Sequence, residues 1–144
     1  MEEMIYQKER EMKVLHSGKY AGRKFAIISR GVFPVAYVEL KPEELKKSIS
    51  YDDYDISVHG GFTYLGKAYW NDQDKSTYIG WDYAHCDDYC GYYSEEYLPA
   101  FMHNIRYTTE EIFLEVKSVI EQFEDAEWVD VSEPHYVLKI KEEE

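Results

Sequence analysis

Two short stretches of the chain concentrate residue types that chemistry uses. In the first, His59-Gly60-Gly61 is followed by Thr63 and Tyr64, so an imidazole and a hydroxyl stand beside glycine amides. Exposed amides of that kind cradle phosphates and oxyanions. A glycine bulge that lets an aromatic ring pack on the backbone accounts for the same pair. In the second, Trp81-Asp82-Tyr83-Ala84-His85, strand alternation puts Trp81, Tyr83 and His85 on one face and Asp82 with Ala84 on the other. If the strand ends near Tyr83, Asp82 and His85 can pair and orient a tautomer for proton transfer. No nucleophile or metal set accompanies them, so the expectation is a structural hydrogen-bonded pair and no catalytic residue.

Anion recognition has a short list of donors, because arginine occurs only at Arg10, Arg23, Arg30 and Arg106. Planar, two-pronged contacts to phosphate or carboxylate must draw on these four. Arg106 stands just before Thr108, the expected start of a helix, where first-turn amides already favour anions. Arg106 with Thr108 is therefore the leading anion site, and Arg23 and Arg30 are further candidates. Surface ion pairing with the many carboxylates is the alternative for each.

Between Tyr51 and Tyr97 lie ten of the fifteen tyrosines and two of the three tryptophans, with ten carboxylates and only Lys67 and Lys75 as cations. Tyrosine joins a flat apolar face to a polar tip, which suits stacking on a planar ligand or a wet interface. A small sheet filled on both faces with tyrosine reads the same way. A metal could be proposed for His85, Cys86, Asp87, Asp88 and Cys90, with His59 brought in, but the spacing matches no zinc knuckle or ribbon. No metal or other cofactor is expected, and Cys86 and Cys90 read as reduced thiols.

The whole composition narrows the partners. The formal charge is −13, from 29 acidic and 16 basic residues, so the summed field opposes duplex nucleic acid and anionic membranes. A small anion escapes that restriction where a few donors are well aimed. No apolar run approaches the roughly 18 residues of a membrane span, and the charged N-terminus lacks the pattern of a secretory signal. The expectation is one soluble, cytoplasmic domain over residues 1–144, large enough to bury a core.

Hydrophobic patterning supplies the elements that must hold these residues. Strands are expected over Met12 to Leu15, Phe25 to Ile28 and Val35 to Leu40, an antiparallel meander punctuated by Gly18, Gly22, Gly31 and Pro34. Pro42 opens one or two helical turns. A further strand pattern runs from Ile56 through the glycine pair to Gly66, and another covers Thr77 to Tyr83. The clearest helix spans Thr109 to Glu124, with Ile112, Val116, Val119, Ile120 and Phe123 on one face and a capping box formed by Thr108 and Glu111. Short strands from Trp128 to Val131 and Tyr136 to Ile140 follow. The expected fold class is α+β: a small, mostly antiparallel β-sheet with a C-terminal amphipathic helix packed on it.

In this order VHGGFTY, then YIGWDYAH, then an arginine before an amphipathic helix, the chain resembles a group of small phage and prophage proteins with linked HGG-x-TY and G-aromatic-D-x-AH motifs. Within that group it is similar to the Thoeris anti-defence sponge proteins. The likeness covers the middle and C-terminal two-thirds, and the CDDYCGYYSEEY loop after His85 is longer and more aromatic than the pattern. The resemblance implies a protein of the host cytosol that sequesters a cyclic ADP-ribose isomer made by TIR-domain enzymes, without cleaving it, in a homo-oligomer whose interfaces help build the pocket. It implies a small anionic nucleotide-derived ligand held by His59, Gly60, Gly61, Thr63, Tyr64, Trp81, Asp82, His85, Arg30, Arg106 and Thr108. The residues also permit an acidic DNA mimic or protein-binding inhibitor of a host enzyme, or a nucleotide hydrolase using Asp82 and His85.

Overall fold

A two-residue turn starts the fold. In the computed structural model, which describes residues 12–30, 33–48, 50–83, 107–132 and 135–141, strands β1 (Lys13–Tyr20) and β2 (Arg23–Ser29) are joined through Ala21 and Gly22. Both turn residues have positive φ, 50° and 83°, the backbone that matches the right-handed twist of a hairpin. Next come β3 (Pro34–Leu40), the short helix α1 (Pro42–Leu45), a 3₁₀ turn at Tyr51–Asp53, and β4 (Tyr54–Asp55). The chain continues through β5 (Tyr64–Lys67), β6 (Thr77–Asp82), helix α2 (Thr109–Glu124), β7 (Ala126–Ser132) and β8 (His135–Ile140).

The meander is antiparallel and extends into a five-stranded sheet of order β1-β2-β3-β6-β5. The registers Phe25↔Val38 and Val38↔Ile79 align the apolar positions of three neighbouring strands. Their shared face carries Phe25, Ile27, Ala36, Val38, Leu40, Ile79 and Trp81, and the apolar stripe of α2 packs there. Ile112, Val116, Val119 and Ile120 are fully buried, each contributing about 1.5–3 kcal/mol by removal from water. The helix begins as its sequence dictates: the Thr108 hydroxyl accepts from the Glu111 amide and the Thr108 amide donates to the Glu111 carboxylate, both at 3.1 Å.

A second, three-stranded sheet, β4-β8-β7, was not expected. Two-residue β4 runs parallel to β8, with Tyr54 opposite Leu138, and Tyr54 packs against Phe123, Phe62 and Trp128. Helix α1 is anchored by charge: Arg23 forms a two-armed pair with the Glu44 carboxylate, 2.8 Å on each arm. Among the described residues, no helix is long and apolar enough to cross a membrane.

Two local expectations change. Gly18 lies inside β1 and does not mark a turn. Residues 56–63 form no strand: Gly60 and Gly61 have φ of 67° and 83°, and two successive left-handed residues break extended backbone. Helix α2 holds this segment. The Gln122 side chain accepts from the Ser57 amide and donates to the Ser57 carbonyl, both at 2.8 Å, as a neighbouring strand would. The Glu115 carboxylate accepts from the His59 amide at 2.6 Å.

Candidate ligand-binding cleft

Strand β6 divides the residues that the sequence groups together. Its odd-numbered side chains, Ile79 and Trp81, face α2, and Tyr83 beyond the strand end continues that side. Tyr78 belongs instead to the apolar cluster on the opposite face, with Ala26, Ile28, Val35, Tyr37 and Ala68. That opposite face bears a cleft of about 220 Å³ bordered by Arg30, Phe33, Val35, Tyr37, Thr63, Tyr64, Trp81 and Asp82. Four of the expected ligand-binding residues, Arg30, Thr63, Tyr64 and Asp82, therefore meet at one place, and Trp81 borders it while belonging to the helix-side core.

Each wall of the cleft has a distinct chemistry. The Arg30 guanidinium lies 5.3 Å from the centroid of the Tyr69 ring, a cation–π distance, and the Arg30 amide donates to the Phe33 carbonyl at 2.9 Å, closing the β2–β3 turn. The Tyr69 and Tyr37 hydroxyls share a 2.6 Å hydrogen bond. Tyr37 meets Tyr64 edge-on at 5.2 Å and stacks on Trp70 at 4.5 Å with 27° between planes. Burial, then the hydrogen bond to Tyr69, raises the Tyr37 phenol far above its ordinary range, so it stays protonated. On the far side the Thr63 hydroxyl donates to the Asp82 carboxylate at 3.1 Å, while the Thr63 amide donates to the Gly80 carbonyl at 2.9 Å, continuing the β5–β6 ladder by one residue.

Trp81, expected among the residues that hold the ligand, offers no exposed ring for stacking. It is 1% exposed, its indole N–H donates to the Tyr83 hydroxyl at 3.1 Å, and its ring meets Phe62 edge-on at 6.0 Å. Alternation turns it into the helix-side core. Half-buried Tyr64 supplies the aromatic surface instead, with Tyr69 packed behind it against Arg30 and Tyr37. Tyr37, which lines the cleft, and Tyr69, which supports Arg30 beside it, were not among the expected site residues.

Arg23 is likewise no ligand donor, being 3% exposed and committed to Glu44 and to the Glu39 carbonyl. Arg30, just past the end of β2, is seven positions from Arg23, an odd separation that places them on opposite faces. Thr108 spends its hydroxyl and its amide on Glu111, so a carboxylate of the chain already sits where an anion was expected. Arg106 and His85 lie outside the described residues, as do Cys86, Asp87, Asp88 and Cys90. Among the described residues there is no group of three His, Cys, Asp or Glu side chains able to hold a metal ion.

The HGG motif belongs to a different place. The His59 ring stacks on Tyr83 at 4.5 Å, 18° from parallel, and Tyr107 meets both rings. With Glu111, Leu114 and Glu115 these rings line a hollow of about 360 Å³ on the helix side. The Gly61 amide donates to the Val58 carbonyl at 3.1 Å, so one of the two amides proposed for an oxyanion closes a turn. A β-carbon on Gly61 would meet nothing within 4 Å. Its glycine answers to backbone conformation, not to the close approach of another group.

The cleft can hold a flat ring against tyrosine, an anionic group at Arg30 and hydroxyl groups at Asp82 and Thr63. No family model, curated protein or solved structure matches the chain.

Proposed function

We propose that the protein captures a cyclic ADP-ribose isomer of the kind made by TIR-domain enzymes and holds it uncleaved, as a phage-type anti-defence sponge in the host cytosol. The observation that carries this reading is the convergence, in one cleft, of Arg30, the Tyr37 and Tyr64 rings and the Thr63–Asp82 pair, with the Arg30 guanidinium resting on the adjoining Tyr69 ring. Those three chemistries correspond to the phosphate, base and ribose of such a ligand. The linked HGGFTY and GWDYAH motifs, with their resemblance to the sponge proteins, supply the identity of the signal.

The cleft volume of about 220 Å³ lies below the roughly 300 Å³ at which sites begin to enclose drug-sized ligands. One chain therefore grips a ring-sized part, and the remainder is covered when a second copy closes over the rim. Stoichiometric capture requires slow release more than turnover. To test it, the purified protein is mixed with the TIR-derived signal, freed of unbound molecules and heat-denatured. Release of the intact molecule, lost with Arg30→Gln, is the expected result. No capture overturns the reading, and a cleaved product replaces it with an enzyme.

A further inference from the structure

We propose that the cleft between the β1–β2 hairpin and residues 70–74 is a second ligand site, taking a small anion carried on a flat ring. This hollow, about 400 Å³, is walled by Trp70 and Tyr78 and rimmed by Ser17, Lys19 and Asn71, with Lys24 and Asp74 in its floor. One face of the Trp70 ring is backed by Tyr37, and Tyr69 and Tyr78 meet it edge-on. The indole is held rigidly as a wall.

The polar groups divide cleanly into committed acceptors and open donors. Asp74 accepts from Lys24 Nζ at 2.9 Å and the Ser76 amide at 3.0 Å on one oxygen, and from the Tyr78 hydroxyl on the other. Lys24 is balanced by Asp74 and, at 3.7 Å, by Glu39. Lys19 stands directly opposite Lys24 on β1, and like charges facing across a strand pair are unfavourable. Its ammonium makes no ion pair among the described residues. Asn71 uses its side-chain oxygen on the Gln73 amide, which leaves its NH₂ donors and the Ser17 hydroxyl open. The rim thus offers donors, one positive charge and an aromatic wall in a chain of net charge −13. Such a rim complements a carboxylate or phosphate attached to a planar ring.

This site is separate from the Arg30 cleft. Lys24 and Arg30 lie six residues apart at opposite ends of β2, about 20 Å at strand rise, beyond the reach of one small ligand.

The test uses ¹H–¹⁵N spectra of the full chain titrated with adenosine 5′-monophosphate, indole-3-acetate or uncharged adenosine. The expected result is that either or both anions shift the Trp70 indole N–H and the Asn71 side-chain amide, while adenosine does not. A response to one anion alone identifies phosphate or carboxylate as the preferred group. Lys19→Gln weakens that binding about tenfold, and Arg30→Gln leaves it unchanged. Adenosine binding as well as the anions, Lys19→Gln without effect, or neither anion shifting these signals overturns the proposal. Lys19 is exposed, so its replacement leaves the fold intact.

Discussion

The Tyr37 ring lies over Gly80 of the neighbouring strand so closely that a β-carbon on Gly80 would sit 2.4 Å from the ring and 2.9 Å from the Ala36 carbonyl oxygen. The two residues are directly paired in register, so the glycine is the notch into which the ring drops. From there Tyr37 reaches the Tyr69 hydroxyl and stacks on Trp70. The aromatic walls of the Arg30 cleft and of the cleft beside Trp70 both hang on this contact. Gly80→Ala must displace the ring or the strand, an overpacking cost of about 1–3 kcal/mol. Urea unfolding followed by circular dichroism should show the unfolding free energy falling by that amount, with a correspondingly lower midpoint. A variant as stable as the parent would mean that the ring moves aside freely.

Arg23 and Glu44 make a second prediction. Both are buried, at 3% and 7% exposure, and two 2.8 Å hydrogen bonds join them. Removing Glu44 leaves the buried Arg23 guanidinium only the Glu39 carbonyl and a longer 3.7 Å contact to half-exposed Glu124, and breaking a buried pair in this way costs about 3–5 kcal/mol. Glu44→Leu alone should therefore unfold at much lower urea. Arg23→Met combined with Glu44→Leu should recover most of the loss, because the pair is replaced by apolar groups of similar volume. An additive double variant would show that the two charges are not coupled.

Locally encoded features were legible in the sequence. Helix α2 and its cap follow from residues three and four positions apart, and the strand alternation of Trp81 and Asp82 was correctly read. Which face of β6 the helix covers is not written in local spacing. That depends on residues far apart in the chain, such as Ile79 and Val116, joining one buried cluster, and the side chosen decides whether Trp81 is platform or core. Tyr69 and Trp70 were illegible for a related reason, since residues leading into the polar stretch Asn71 to Lys75 look like surface until Tyr37, seated on Gly80, is seen to pack against both. The parity of Arg23 and Arg30 was readable on one strand, and it separates the ion pair from the site residue. The HGG segment was misread as strand because apolar residues flank it. Two successive positive-φ glycines, pinned by Gln122 and Glu115, were decisive.

The tyrosines set the alkaline limit of stability. Burial, followed by hydrogen bonds to Tyr69 and Asp74 respectively, raises the Tyr37 and Tyr78 phenols above their ordinary value. Their contribution is fully present below the unfolded pKa of about 10 and declines as pH rises through it toward the folded values, because the unfolded chain then releases protons that the folded chain keeps. Asp74 acts in the opposite sense. Burial works against its charge, yet hydrogen bonds from Tyr78, Lys24 and the Ser76 amide hold it well below the usual carboxylate range. Its contribution is present above about pH 4 and is lost as pH falls toward the folded value. Urea midpoints measured across pH should fall on both sides, and Tyr37→Phe should flatten the alkaline arm. An alkaline arm of unchanged slope in that variant would assign the effect to other groups.

Arg30 separates binding from stability. Its side chain is exposed and rests on Tyr69, so Arg30→Gln should change the unfolding free energy by no more than about 0.5 kcal/mol. Affinity for the nucleotide-derived signal should nevertheless fall about 10- to 100-fold, the range of a lost hydrogen bond to a charged group. Arg30→Lys should restore little, since an ammonium neither forks onto phosphate nor lies flat on the ring. Calorimetric titration beside a thermal melt reads both quantities. Equal affinity in Arg30→Lys and parent would reduce the guanidinium's role to simple charge.

The β1–β2 hairpin carries removable strain. Ala21 has φ of 50°, left-handed backbone that costs an ordinary L-residue about 1–2 kcal/mol and that asparagine tolerates better. Gly22, at 83°, already suits the turn. Ala21→Asn creates the Asn-Gly pair favoured in two-residue hairpins and should stabilise the chain by about 0.5–1 kcal/mol, read as a higher urea midpoint. Gly22→Ala should do the reverse. Because this turn aligns Lys19 with Lys24 and Tyr20 with Arg23, the stabilised variant should bind ligands at both clefts as the parent does. A stabilised chain with weakened binding would show instead that the hairpin must flex for ligand to enter.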